Sequence, residues 1–516
     1  SIVRRWRLEP KDKAAYAAGE LVEPIQPIVY YLDPATPLKW RKYFKMGIED
    51  WNSAFAKAGF KNAILAKDPP SKEEDPDFSP EDIRYSTVRY VASTTRNATG
   101  PSVCDPRTGE ILESDIIWYH NHLRSYRNRY LLETAAANPK ARSLNTPEEE
   151  IGEMMRRVIS HEIGHALGLP HNMKASSAYP VDSLRSGEFT QKYGVATTIM
   201  DYARYNYIAQ PGDENIRFVR QLGPYDDYSI EWGYRYYDKS PEEEKKILSQ
   251  FVDEKSLDPM YMFGGRGNDP DAQTENIGDD PVKASFYGLK NLKIVARNLM
   301  DWTLQPNDDY TDLNELYGEL TGVYRRYINH VHSIIGGVNK TQHTTNQQEV
   351  VTYKSVEKAK QIEALAFLNT HVWETQAWLM QPQLISEIKS EGILLNLQNL
   401  QRSAMTRLLA TKKLNRLLST QNTLEGNGLT VNELLNILFN DIIKNVSKPD
   451  VSRQSLQIHF AHQIKILQEE EKLNPTIKAS LVDLECRLHK TAKRKARMNA
   501  GDLKKHYAYL AEQTDD

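Results

Sequence analysis

The eleven residues HEIGHALGLPH, His161 to His171, restrict this chain more than any other stretch of it. Only 13 histidines occur among 516 residues, and three of them stand here with a glutamate and two glycines. Upstream, TPEEEIGEMMRRVIS gives a helix start near Pro147, with Thr146 and Glu149 in capping-box positions and three glutamates at the positive helix end. Ile151, Met154, Met155, Val158 and Ile159 then trace one apolar face. His161 and His165 therefore share a helix, about 40° apart in direction and about 6 Å apart along its axis. Gly168 can take the left-handed conformation that stops a helix, and Leu169 and Pro170 carry His171 back toward the same point.

That spacing suits one metal ion. Three neutral imidazoles at Zn–N distances of about 2.0–2.1 Å complete the protein share of a tetrahedral zinc site and leave one position open, the mark of a catalytic centre. Glu162, turned about 100° from His161, stands beside the ion as a general base. Zinc lowers the pKa of bound water to about 7 and polarises a carbonyl, so the expected chemistry is hydrolysis by a zinc-activated water. The pattern H-E-x-x-H alone recurs by chance, and Gly168 with His171 at their positions gives it specificity. Two rival readings share the scaffold. One is a catalytically silent peptide- or glycan-binding protein, which would be expected to have lost Glu162 or a histidine. The other is a zinc hydrolase of a non-peptide amide.

The rest of the chain frames this segment. A length of 516 residues exceeds one compact core. Lys and Arg number 66 against 69 Asp and Glu, which argues against binding nucleic acid through bulk positive charge. No apolar run reaches the roughly 18 residues of a membrane span. The two cysteines, Cys104 and Cys486, are too few and too far apart for a disulfide framework.

PIVYYLDP (27–34) reads as a strand, followed by a helix with Thr36 as N-cap, Pro37 in its first turn and an apolar stripe from Trp40 to Phe55. NAILA (62–66) and IRYSTVRYVAS (83–93) read as further strands, and Asp105 to His120 as a turn through Gly109 into a long strand. His120 and His122 then alternate at the strand end and face one side. This order predicts an α/β (α+β) domain with a mixed twisted sheet and an active-site helix, then a mainly helical region. The boundaries are a lead-in over 1–26, a catalytic domain over 27–240, a Gly/Asp/Pro-rich connection over 241–284 and a helical C-terminal domain over 285–516. In the connection, Asp269, Asp271, Glu275, Asp279 and Asp280 form a candidate calcium loop, although they lack EF-hand spacing.

The motif resembles the signature of the metzincin zinc peptidases, H-E-x-x-H-x-x-G-x-x-H followed by a Met-turn. His161, Glu162, His165, Gly168 and His171 match it position by position, and TTIMDY (197–202) resembles the Met-turn. The resemblance makes Met200 the apolar floor beneath the metal, and Tyr202 either a fifth ligand or a hydroxyl donor to the tetrahedral intermediate. It also makes the Glu110–Tyr119 strand the edge strand of the cleft and LGPYDDYSIEWGY (222–234) the closing helix. An extended protein or peptide substrate would pair antiparallel with that edge strand. DPRTGEIL and DDPVKASFYGLKNLK are similar to a narrower bacterial metzincin-type family of unknown-function domains. Its members are usually exported, to the periplasm, the cell surface or the medium. They usually carry a further N-terminal region, so a processed or trimmed chain is expected here.

Overall fold

The computed structural model describes residues 2–265, 267–389, 392–423 and 428–514. It falls into two compact units, one of residues 1–267, 271–280 and 341–352, the other of 268–270, 281–340 and 353–516.

The first unit is built on a five-stranded sheet. Its strands are β1 (Ile28–Leu32), β2 (Ile64–Lys67), β3 (Ser86–Val91), β4 (Ala98–Thr99) and β7 (Ile116–Tyr119), in the order β2-β1-β3-β7-β4. The first four in that order run parallel, and β4 closes the edge antiparallel to β7. A separate antiparallel pair joins β5 (Ser102–Cys104) to β6 (Ile111–Ser114). The long strand expected from Glu110 to Tyr119 is thus two strands broken at Asp115, whose carboxylate accepts the Thr87 amide (3.0 Å) and hydroxyl (2.6 Å). The edge strand is β4, not the Glu110–Tyr119 segment.

Alternation in β1 buries Ile28, Tyr30 and Leu32. Against the sheet lie α2 (Leu38–Glu49) and the 19-residue α5 (Glu148–Ala166), and the unit also contains α1 (Lys13–Ala17), α3 (Asn52–Lys57) and α4 (His122–Thr134). The apolar stripe predicted from Trp40 to Phe55 spans α2 and α3. Phe44 packs 5.7 Å from the Trp118 ring, and the buried Trp51 indole donates to the Ser160 carbonyl of α5 at 2.8 Å. Pro37 rather than Thr36 takes the N-cap of α2, because Thr36 is buried with its hydroxyl unpartnered. Pro147 likewise caps α5. The Thr146 hydroxyl turns instead to the Ser143 carbonyl at 3.4 Å, so the expected capping box does not form, while Glu148, Glu149 and Glu150 do occupy the first turn.

The N-terminal residues are packed against this unit. Trp6 donates its indole N–H to the Ala166 carbonyl at 2.9 Å, and the Tyr234 hydroxyl donates to Leu167 at 2.8 Å. These bonds satisfy carbonyls that the end of α5 leaves without helical partners. Two further helices follow in this unit, α6 (Gly187–Tyr193) and α7 (Pro224–Tyr234), then α8 (Pro241–Lys255).

The second unit is helical, from α9 (Pro281–Thr303) and α10 (Thr311–Ile334) to Gly501–Glu512, with a short ladder pairing Val338–Lys340 to Tyr353–Ser355. The Thr430–Glu433 capping box is present there. No helix among the described residues is long and apolar enough to cross a membrane.

Trp51 contributes both ring area and a buried hydrogen bond. Trp51→Phe should lower unfolding stability by about 1 kcal/mol, and Trp51→Ala by about 3–5 kcal/mol. Denaturant midpoints followed by near-UV circular dichroism would check this, and equal midpoints for the two variants would contradict it.

Candidate metal centre

The helix α5 ends in a Schellman turn. Leu169 N donates to Gly164 O at 3.0 Å and Gly168 N to His165 O at 2.9 Å, with Gly168 at φ +93°. A Cβ at Gly168 would also overlap the Arg4 carbonyl of the N-terminal segment, so both backbone angle and space demand glycine here. The turn returns His171 to the helix face. Its Nε2 lies 3.2 Å from His161 Nε2 and 3.1 Å from His165 Nε2.

Backbone carbonyls set the outward edges of two rings. His161 Nδ1 lies 2.7 Å from Ile199 O, and His165 Nδ1 lies 2.9 Å from Leu169 O. A carbonyl accepts only, so each Nδ1 carries the proton and each Nε2 presents a lone pair. Burial, with the Arg220 cation nearby, holds both imidazoles below the usual histidine range and therefore neutral. Lone pairs converging at these separations repel unless a cation lies between them. The distances approach the roughly 3.3 Å edge of a tetrahedron with Zn–N of about 2.05 Å. The donor set fits zinc. Among the described residues, this is the one group of three or more His, Cys, Asp or Glu side chains whose ligand atoms lie close enough to share an ion, all within 4.8 Å.

Glu162 is buried beside the triad, and burial pushes its carboxyl up to about 7 against the opposing pull of Arg220. Met200 lies beneath α5, where a Cβ on Gly164 would overlap its sulfur and come 2.9 Å from the Trp51 ring. Tyr202 packs its ring 4.4 Å from that of His171. His161, Glu162, His165, His171 and Tyr202 line one cleft of about 460 Å³, together with β4 and its flanks, Asn97 to Pro101, while Met200 is buried against Gly164.

Three further residues, none of them a candidate in the sequence analysis, fasten the Thr197–Tyr202 turn. Asp226, in the first turn of α7, accepts from Thr198 Oγ1 at 2.5 Å, Ile199 N at 2.8 Å and Gly223 N at 2.9 Å. Asp201 accepts the Ser176 amide at 2.8 Å. Arg220 donates to the carbonyls of Ile199 (3.1 Å) and Asp201. The 222–234 stretch was expected to be a closing helix, but the reach of its Asp226 carboxylate to a turn 27 residues upstream is a tertiary fact.

His120 and His122 do not face one side. His120 Nδ1 meets the Tyr90 hydroxyl at 2.7 Å, whereas His122 opens α4 and stands edge-on to Tyr126 in the cleft wall. Among the described residues, the acidic loop does not assemble a calcium cage. Glu275 is consumed by Arg129 and Arg204, Asp279 accepts the Val181 amide at 3.0 Å, and Asp271 lies 3.7 Å from Lys174. Asp269, in the second unit, accepts the Lys340 amide at 3.2 Å. Carboxylates already paired with cations and amides leave no oxygen-rich shell of the kind calcium requires.

A family model described as Met-zincin matches residues 143–450, more than half of the chain. The match starts just before α5 and continues into the helical unit. Neither the search of curated proteins nor that of solved structures returns a match.

Because Asp226 holds Ile199, and Ile199 orients His161, Asp226→Ala should weaken zinc binding by about 10–100-fold with every ligand intact. Competition against a chromogenic chelator measures this, and unchanged affinity would refute the role.

Proposed function

The chain belongs to the Met-zincin family, and on that premise we propose that it is a zinc metalloendopeptidase acting on extended peptide segments. The observation that carries this reading is the convergence of three imidazole lone pairs with a buried carboxylate beside them in an open cleft.

His161, His165 and His171 hold the metal. When bound, zinc supplies a Lewis acid that polarises the scissile carbonyl and acidifies water. The chain's own groups do the rest. β4 offers an edge with one hydrogen-bonded neighbour, so an extended substrate adds as a further strand and its scissile carbonyl is drawn over the triad. Main-chain pairing of this kind fixes orientation without reading sequence. Glu162 accepts the proton of the attacking water and delivers it to the leaving amine. The hydroxyl of Tyr202, whose ring packs against that of His171, donates to the oxygen that gains charge as the carbonyl carbon becomes tetrahedral. Met200 keeps the floor beneath the imidazoles apolar and close-packed.

Glu162→Gln should retain about one zinc per chain and lose peptide hydrolysis by a factor of about 10²–10⁴ or more. Digestion of a denatured protein mixture should stop with a zinc chelator and return with added zinc. Full cleavage by Glu162→Gln would exclude the mechanism, and zinc-loaded protein that cuts no peptide would exclude the peptidase reading.

A further inference from the structure

The arginines in and behind the cleft wall differ in how their charge is met. Arg204 pairs with Glu275 at 2.6 Å, and Arg129 pairs with Glu133 at 2.8 Å and with Glu275. Two cations thus face two carboxylates in one buried cluster. Arg220 is more buried than either, at 4% exposure, and forms no ion pair among the described residues. Glu162 shares the cleft with it, but the two make no ion pair.

The Arg220 hydrogen bonds use one end of the guanidinium. Nη1 meets the carbonyls of Ile199 and Asp201, while Nε and Nη2 bond to no protein atom among the described residues. Those two nitrogens are not sealed within protein, and the residue lines the cleft. The Nε–Nη2 edge is the side of a guanidinium whose two parallel N–H groups match the two oxygens of a carboxylate. A strut for two carbonyls would need neither the second edge nor a full charge. Burying an unpaired cation is costly, and a partner that arrives with the substrate removes that cost.

We infer that Arg220 is a specificity-determining residue that binds a substrate carboxylate next to the scissile bond through its Nε–Nη2 edge. The placement follows from a shared anchor. The Ile199 carbonyl accepts from both His161 Nδ1 and Arg220 Nη1, so the guanidinium is fixed one carbonyl away from a metal ligand. A group held there lies on a residue flanking the reacting carbonyl rather than at a distant subsite. The carboxylate comes either from an Asp or Glu side chain or from the substrate's own C-terminus. The inference rests on the peptidase reading for its substrate but has its own test.

The experiment uses the full-length, zinc-loaded chain and matched peptides. One pair of peptides, C-terminally amidated, differs by Glu against Gln at positions flanking the cleaved bond. A second pair, with neutral side chains, differs by a free against an amidated C-terminus. Affinities are measured with Glu162→Gln protein and kcat/KM with the unaltered chain. One carboxylate-bearing peptide should bind and be cleaved about tenfold better or more than its neutral partner, in line with a charge-assisted hydrogen-bond pair. The pair that shows the difference identifies the source. Arg220→Gln should erase the preference, read as the ratio of carboxylate-bearing to neutral peptide affinity within that variant, whatever its overall activity. Equal affinities in both pairs, or a preference that survives Arg220→Gln, would overturn the inference. If Arg220→Gln loses zinc because its carbonyl bonds are gone, the acid-against-amide comparison in the unaltered chain decides alone. Cleavage of acidic and neutral peptides at equal rates sinks this inference and leaves the peptidase reading standing. Absence of any cleavage sinks that reading, and the binding measurement still decides the role of Arg220.

Discussion

Two backbone carbonyls determine what the histidine triad can do. Ile199 O and Leu169 O take the Nδ1 protons of His161 and His165, and this fixes both the tautomer and the inward-facing nitrogen. Neither carbonyl is placed by chance. Leu169 is the residue whose N–H closes the Schellman turn after α5, so the bond that ends the helix also aims the second imidazole. Ile199 belongs to a turn that Asp226, Asp201 and Arg220 hold from three sides. The ligands are few, but the shell that aims them draws on the end of α5, the 197–202 turn and the start of α7.

Buried charge accompanies that shell. Glu133, Glu275, Arg129 and Arg204 lie together, each with an opposite partner, and Glu275 holds a left-handed backbone angle of +63° to reach its place. Removing one member would strand its partner in a medium that solvates it poorly. The acidic loop that looked like a cation site therefore supplies a counter-ion to the cleft wall.

The parts legible in the sequence are those governed by local rules. The period of α5, the glycine that ends it, the strand alternation in β1 and the Thr430 capping box all depend on neighbours within a few residues. The ligand pattern was legible for the same reason, because a helix and one turn place all three rings. Thr36 and Thr146 had the right chemistry for caps, but the Thr36 hydroxyl is buried without a partner among the described residues and the Thr146 hydroxyl turns back to Ser143. The remaining departures depend on distant partners. The break at Asp115, a bond to Thr87 across 28 residues, split what alternation alone would extend. Asp226 and Arg220 carry no motif that distinguishes them from other charged residues, and only the fold brings them to the turn beside His161.

The amino-terminal segment gives the metal centre a clasp. Arg4 lies over Gly168, and Trp6 bonds to Ala166 across 160 positions of chain. The turn that delivers His171 is thus held shut from outside by residues that touch no ligand. Peeling that segment away would bare the last carbonyls of α5 to water and free the loop between the second and third imidazoles. Displacing residues 4–6 would then loosen the turn that sets His171, with the three imidazoles and Glu162 untouched.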